Sequence, residues 1–362
     1  MPCNLTFGHV EDGTQIGRKF GSPGEFEPIR VALLTRGLGI GLLAFLGWIF
    51  LGAGEVGGAG RAKERGVDGL RSYPLDSLAE SLAFSPDGRG LVVSTWDGTV
   101  ARWDLESGRK GFSIPWAWTP RIALSPDGRL LAATNSLSTV GIWDASLGTM
   151  LDQFDFQGRQ FHRLAFAPDG RSLALGGRDG TLMLWDLAGR SCKASQHSEG
   201  GFIASVAFSP DGRLLATGMA DGRVILREAG SLRQLRAFHA QSSHVEGLAF
   251  DPKGRTLATC GGLDDSVRIW DPETGRELAT LPGRRKGIPA LAFSPDGTRL
   301  AAASVDGVIQ LWQSDDWRKL ATFKGPKAWV AAIAFSPDGQ SLATGGTDRT
   351  LRLWDCSSLS IR

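Results

Sequence analysis

The chain has few of the residues that usually carry chemistry or staple a fold. Four cysteines, Cys3, Cys192, Cys260 and Cys356, occur in 362 residues, and no two stand in a C-x-x-C spacing. That argues against both a disulfide framework and a cysteine zinc site. The five histidines, His9, His162, His197, His239 and His244, lack the local spacing of a metal site, and each is expected at a surface or in a turn. Net charge is also missing. With 40 basic and 38 acidic residues the balance is +2, too weak a field to imply a nucleic-acid partner. Asparagine occurs only at positions 4 and 135 and arginine far outnumbers lysine, which suggests a GC-rich genome rather than a chemistry. No phosphate-binding G-x-x-x-x-G-K-[ST], no G-x-S-x-G and no H-E-x-x-H is present. Gly52-x-Gly54-x-x-Gly57 matches a dinucleotide fingerprint in spacing alone, because it follows an apolar run of helical length instead of a strand.

What the chain does have is repetition. Phe335 to Asp355 reads FSPDGQSLATGGTDRTLRLWD, and the same pattern recurs six times upstream. The turn prolines fall at Pro86, Pro126, Pro168, Pro210, Pro252, Pro295 and Pro337, at steps of 40, 42, 42, 42, 43 and 42 residues. A second marker keeps step: Trp103, Trp143, Trp185, Trp270, Trp312 and Trp354, with Arg227 in the fourth place. Two markers moving together define a structural repeat.

Each repeat reads as strands. Apolar residues four and two places before the proline, as in Leu82/Phe84 and Ile333/Phe335, have the period of a half-buried strand. Ser-Pro-Asp-Gly turns the chain, with proline presetting one corner and glycine supplying the left-handed one. The second strand carries small residues at one recurring position, Ser94, Thr134, Gly176, Gly218, Cys260, Ala303 and Gly345, as expected where sheets approach closely. Cys260 is therefore expected to be a small buried thiol. Turns at Asp97, Asp179, Asp221, Asp306 and Asp348 lead to a third strand ending in Trp-Asp, and a weaker fourth strand follows. Four strands in about 42 residues make one propeller blade.

On these residues the chain resembles the WD40-repeat β-propeller family, whose blades end in Trp-Asp. The pair is literal at 103/104, 143/144, 185/186, 270/271 and 354/355, and replaced by Arg227-Glu228 and Trp312-Gln313. The opening Gly-His is degraded to Gly158-Arg159, Gly283-Arg284 and Gly325-Pro326, with His197 and His239 near the family position. Blade two has Leu137 where the turn aspartate should stand. Blades without the family's His-Ser/Thr-Trp-Asp bonds are expected to rely on packing. The resemblance implies an all-β, seven-bladed ring, and the membrane-anchored, bacterial-type members are the nearest in layout. FSPDG turns also occur in secreted or periplasmic TolB-like propellers, but the Trp-Asp endings and the 42-residue step favour the WD40 type.

Four regions are expected: a disordered polar tail (1–30), a transmembrane helix or signal anchor (31–54), a linker (55–68) and the propeller (69–362). Between Arg36 and Glu55 run 18 uncharged residues, which at 1.5 Å each span about 27 Å, close to the hydrocarbon layer. A cleaved signal, with Gly52-Ala53-Gly54 as a small-residue site, and a buried soluble helix are the alternatives. Gly37-x-x-x-Gly41 fits helix pairing, but glycine is common throughout this run. Basic residues balance four against four across the segment, so a single-pass orientation with the propeller on the non-cytoplasmic side is favoured only by the layout of a short tail and a large C-terminal domain. Gly69 to Tyr73 is expected to supply the outer strand of blade seven.

Residues that a blade requires must repeat, whereas a binding surface need not. Eight places before each turn proline stand Leu78, Trp118, Gln160, Phe202, His244, Gly287 and Trp329. The resemblance puts this position on the narrow top face, where partners dock. The candidate protein-binding set is Trp96, Trp118, Phe161, Arg178, Phe202, His244, Arg285, Lys327 and Trp329. Packing at blade edges is the competing role for the indoles, and solvation for the charges. The expected activity is noncatalytic binding of a protein or peptide, with no cofactor, metal or nucleic acid. The alternative is an enzyme or small-ligand binder that uses the central tunnel, which requires polar groups converging there, whereas the innermost strands offer mainly Ala, Leu, Ile, Val and Phe.

Overall fold

The computed structural model describes residues 71–283, 287–325 and 327–359. Within them lie seven four-stranded antiparallel sheets. The first blade runs from its innermost strand Ala79–Phe84 through Gly90–Thr95 and Thr99–Asp104 to the outer Lys110–Pro115. The next five repeat this order, and their innermost strands are Ile122–Leu124, Phe161–Phe166, Ile203–Phe208, Val245–Phe250 and Ala290–Phe293. Blade seven, Val330–Phe335, Ser341–Gly346 and Thr350–Asp355, receives its fourth strand from the other end of the domain. Arg71–Pro74 pairs antiparallel with Thr350–Asp355, Arg71 opposite Leu353 and Pro74 opposite Thr350. The first and last innermost strands touch each other as the others touch their neighbours, so the sheets form a closed ring around an axis.

Burial follows position in the blade. Second strands such as Gly90–Thr95 and Ser172–Gly177 are buried along their whole length, because each is sandwiched between adjacent sheets. Outer strands alternate, as in Lys110–Pro115. The small residues of the second strand do face the next blade: a Cβ on Gly345 would stand 2.7 Å from the Ala79 Cβ, and one on Gly218 2.7 Å from the Val245 Cβ. Cys260, at the same position, is fully buried, and burial pushes its thiol well above the usual range.

Two contacts recur around the ring and lock blades to the ones before them, the first in all seven blades and the second in five. In every Ser-Pro-Asp-Gly-type turn the glycine lies against the proline of the preceding blade, as Gly88 does on Pro337 and Gly297 on Pro252. Each of these glycines has φ between 68° and 72°, which a side chain resists. Within the turn Ser125 Oγ donates to Asp127 at 2.6 Å and accepts the Leu130 amide at 2.9 Å. Blade five has no such serine, and Asp251 takes its place by accepting the Arg255 and Thr256 amides. The second contact is aromatic. Trp143 meets Trp116 at 4.7 Å, Trp185 meets Phe154 at 5.2 Å, Trp270 meets Phe238 at 4.6 Å and Trp354 meets Phe323 at 5.4 Å, in each case a ring from the preceding blade. Across the seam, Tyr73 of the closing strand does this for Trp103 at 5.7 Å, while its hydroxyl donates to the Leu105 carbonyl.

The expected tail 1–30, membrane span 31–54 and linker 55–68 lie outside the described residues. Among those described, no helix is long and apolar enough to cross a membrane.

Candidate functional site: the face that opens the innermost strands

Antiparallel strands alternate direction, so the loops entering each innermost strand and the turns between second and third strands emerge at one end of the ring. The Ser-Pro-Asp-Gly turns emerge at the other. Trp118 lies on the first of these faces with 63% of its surface exposed. Trp96 is half-buried beside it, its carbonyl accepting the Thr119 amide. Arg178, His244 and Lys327 are exposed, and Phe202 and Trp329 are half-buried. Phe161 is different: it is 2% exposed and packs edge-on against Phe156, so its ring belongs to the core. Arg285 lies outside the described residues.

Two further apolar residues share this face. Leu137 and Leu263 are each 68% exposed, and both occupy the position held by the turn aspartate in other blades. In blade two a neighbour takes over its bonds, and in blade five the adjacent aspartate ties the turn to the preceding loop instead. Asn135 Oδ1 accepts the Leu137 and Thr139 amides, and Asp264 accepts from the amides and hydroxyls of Ser242 and Ser243. The leucines are thereby free of any duty in the turn.

At the centre of the face the innermost strands bulge. In blades one, three, four, five and seven one residue is left unpaired at the strand's start: Glu80, His162, Ala204, Glu246 and Ala331. Blades two and six have Pro120 and Pro289 at this point. A bulge re-aims its side chain, and here the charges converge on the axis. Arg121 of blade two pairs with Glu80 of blade one at 2.9 Å. Arg163 of blade three feels Glu80 two blades away on one side and Glu246 two blades away on the other. These side chains are surrounded by protein yet each keeps part of its surface exposed. His162 Nδ1 is itself buried and has no hydrogen-bond partner among the described residues. Burial and the guanidinium groups of Arg163, Arg178 and Arg121 hold the His162 imidazole well below the usual range. Burial pushes the Glu246 carboxyl up, against the pull of Arg163. Phe202 bridges from the tunnel to the rim, with its ring 5.7 Å from His162 and 5.1 Å from His244.

This cluster corrects the expectation of an apolar tunnel lining and of a surface position for His162. The reading at four and two places before the proline is right, but the lining sits six and five places before it.

The model of the WD40 family, described as WD domain, G-beta repeat, matches residues 76–104, 156–186, 190–227, 232–271, 275–313 and 317–355. The chain belongs to the WD40 family. A search among curated proteins finds no match. The six matches leave out blade two, the WD40 repeat in which Asn135 and Leu137 rebuild the turn and the innermost strand is reduced to Ile122–Leu124.

The WD40 bond set survives in altered form. Thr259 accepts from Trp270 Nε1 at 2.9 Å and from Gln241 Nε2 at 3.1 Å, so Gln241 rather than the exposed His239 fills the histidine's place in blade five. In blade four Arg227 replaces the indole and is buried, donating to Ser198 Oγ at 2.6 Å and the Leu232 carbonyl at 3.1 Å. In blades one and three Trp103 Nε1 and Trp185 Nε1 have no partner, and those indoles are held by packing.

Proposed function

We propose that this WD40 propeller is a noncatalytic scaffold that binds a protein or peptide partner through the tunnel-mouth face, with Trp118 as the anchor. The observation that carries this reading is the placement of Trp118, Leu137 and Leu263 exposed on one face, the two leucines at turn positions that other blades reserve for aspartate. Large exposed apolar side chains on one face favour a partner over solvent, and a central indole is the commonest energetic anchor. Arg178, His244 and Lys327 supply a polar and positive rim. The uncharged run before Glu55 supports a single-pass tether at a bilayer, and the layout of a short tail before it and a large domain after it leans the propeller towards the non-cytoplasmic side.

Proximity labelling with an enzyme fused after Arg362 tests this reading on the full chain. A hot-spot loss of about 2 kcal/mol corresponds to roughly thirtyfold weaker binding. Trp118→Ala should therefore strip specific proteins from the labelled set while leaving the thermal midpoint within a degree or two. Leu147→Ser, in an exposed turn at the opposite face, should strip none. An unchanged set in Trp118→Ala contradicts the proposal, and the compartment of the labelled proteins reports the side of the membrane.

A further inference from the structure

On the Ser-Pro-Asp-Gly face, two blades hold a cation of their own beside the turn. Arg299, four places after the turn proline of blade six, is buried and reaches into blade seven. Its guanidinium donates to the Gly339 carbonyl at 2.8 Å and to the Cys356 carbonyl at 3.0 Å, and lies 5.8 Å from the centre of the Phe335 ring. In blade three the same position is a serine, Ser172. The Lys193 ammonium from the outer strand sits there instead, 2.9 Å from the Ser172 hydroxyl and 2.6 Å from the Asp186 carboxylate. Blade seven has neither cation. Four places after its proline stands Ser341, whose hydroxyl makes no hydrogen bond among the described residues. By register Arg71 stands where blade three has Ala194, and the residue before Arg71, in the place of Lys193, is a leucine in the sequence.

A cavity of about 680 Å³ opens at this point, on the seam where blade one follows blade seven. Its lining repeats the groups that hold the two cations elsewhere. Phe84, Gly88 and Leu105 of blade one are the counterparts of Phe335, Gly339 and Cys356, and Ser341 and Asp355 of blade seven are those of Ser172 and Asp186. The Leu105 carbonyl is already taken by Arg71 Nη1 and the Tyr73 hydroxyl, each at 3.2 Å. The Gly88 carbonyl accepts no hydrogen bond among the described residues. Asp355 uses Oδ1 for the Ser357 amide and hydroxyl, which leaves Oδ2. Asp87 and Asp338 add to the acidic side while Arg71 and Arg89 oppose it, so three carboxylates against two guanidinium groups leave one negative charge. The hydroxyls of Ser85, Ser336 and Ser357 hold these three carboxyls below the usual carboxylate range, so all are charged at neutral pH.

We propose that this seam cavity binds a guanidinium group, the side chain of an arginine presented by a partner. Its plane stacks on Phe84, as Arg299 lies against Phe335, and its N–H groups donate to the Gly88 carbonyl, to Asp355 Oδ2 and to the Ser341 hydroxyl. Blades six and three supply the cation from their own chain; blade seven leaves the same acceptors open to one from outside. The site lies on the face opposite Trp118 and does not depend on a protein docking there.

An arginine supplied from within tests the chemistry of the cavity. Ser341→Arg places a guanidinium where blade six has Arg299, and Ser341→Met places a neutral chain that fills space without charge. The full chain carrying Ser341→Arg should melt roughly 2–6 °C above that carrying Ser341→Met, because only the first can bond the open acceptors. Binding from outside is read on the full chain by NMR, from the amide shifts of Gly88 and Asp355. The probes are acetyl-arginine amide and its uncharged isostere, acetyl-citrulline amide, titrated through the millimolar range. The arginine compound should bind about tenfold more tightly than the citrulline compound, since its donors are charged. Asp355→Asn keeps the Oδ1 acceptor that its turn uses and should weaken the arginine compound severalfold, and Ser341→Arg should abolish its binding. Equal midpoints in the two Ser341 variants overturn the proposal. So do equal affinities for the two compounds, or arginine binding that survives Ser341→Arg at full strength.

Discussion

At the scale of single residues, the tryptophan that closes the third strand in six of the seven blades does two jobs that can be separated. Its ring always packs between blades, but its N–H is bonded only where the second strand offers a hydroxyl. Trp354 Nε1 donates to Thr344 Oγ1 at 2.8 Å, whereas Trp103 faces Val93 at the equivalent place and has no partner. Removing the bonded N–H leaves a buried threonine oxygen without its donor; removing the orphan relieves an unsatisfied group. Trp354→Phe should therefore cost about 1–2 kcal/mol more than Trp103→Phe, read as a thermal midpoint lower by roughly 2–6 °C. Equal midpoints in the two variants would show that the hydroxyl contributes nothing. The tryptophans themselves were legible, since their 42-residue step needs no coordinates. That Gln241 replaces a histidine, or that Ser198 serves Arg227, was not, because each partner lies on a loop whose path a repeat does not encode.

At the scale of the element, the Ser-Pro-Asp-Gly hairpin was the most legible feature, because every residue in it has a local reason. Its second role, as the seam between blades, depends on tertiary placement. Gly128 shows both: φ is +70°, and a Cβ would stand 2.3 Å from the Pro86 ring. Gly158, in the loop between blades two and three, has φ of +86° with nothing within 4 Å of such a Cβ. Gly158→Ala meets only the backbone penalty of about 1–2 kcal/mol, and Gly128→Ala adds overpacking of about 1–3 kcal/mol against the proline. Calorimetry should rank Gly128→Ala clearly below Gly158→Ala in midpoint; the reverse order would mean that the turn-to-proline contacts do not join the blades. The bulges were illegible for a related reason. An unpaired residue is defined by its register with the neighbouring strand, so Glu80, His162 and Glu246 read as ordinary strand positions until Phe161 and Arg163 are seen to pair with consecutive glycines, Gly177 and Gly176.

At the scale of the whole molecule, seven turns and a blade short of one strand already implied a ring that borrows its last strand from the start of the domain. The strand is Arg71–Pro74, held by blade seven through the ladder to Thr350–Asp355 and by blade one through Tyr73, Arg71 and the 2.6 Å Lys110–Asp76 ion pair. The tunnel cluster could not be read from the chain, because its members stand roughly 41 residues apart and meet only at the axis. The exposed face that carries Trp118 and the charged cluster near the axis both depend on the ring being shut. Native-state amide hydrogen exchange on the full chain tests that directly at Leu75, whose N–H donates to the Arg349 carbonyl at 2.8 Å immediately after the closing strand. The closed ring predicts that Leu75 and the strand Thr350–Asp355 share the protection of Leu300 in the buried second strand of blade six. Leu75 exchanging at the unprotected rate while Leu300 remains protected would contradict it.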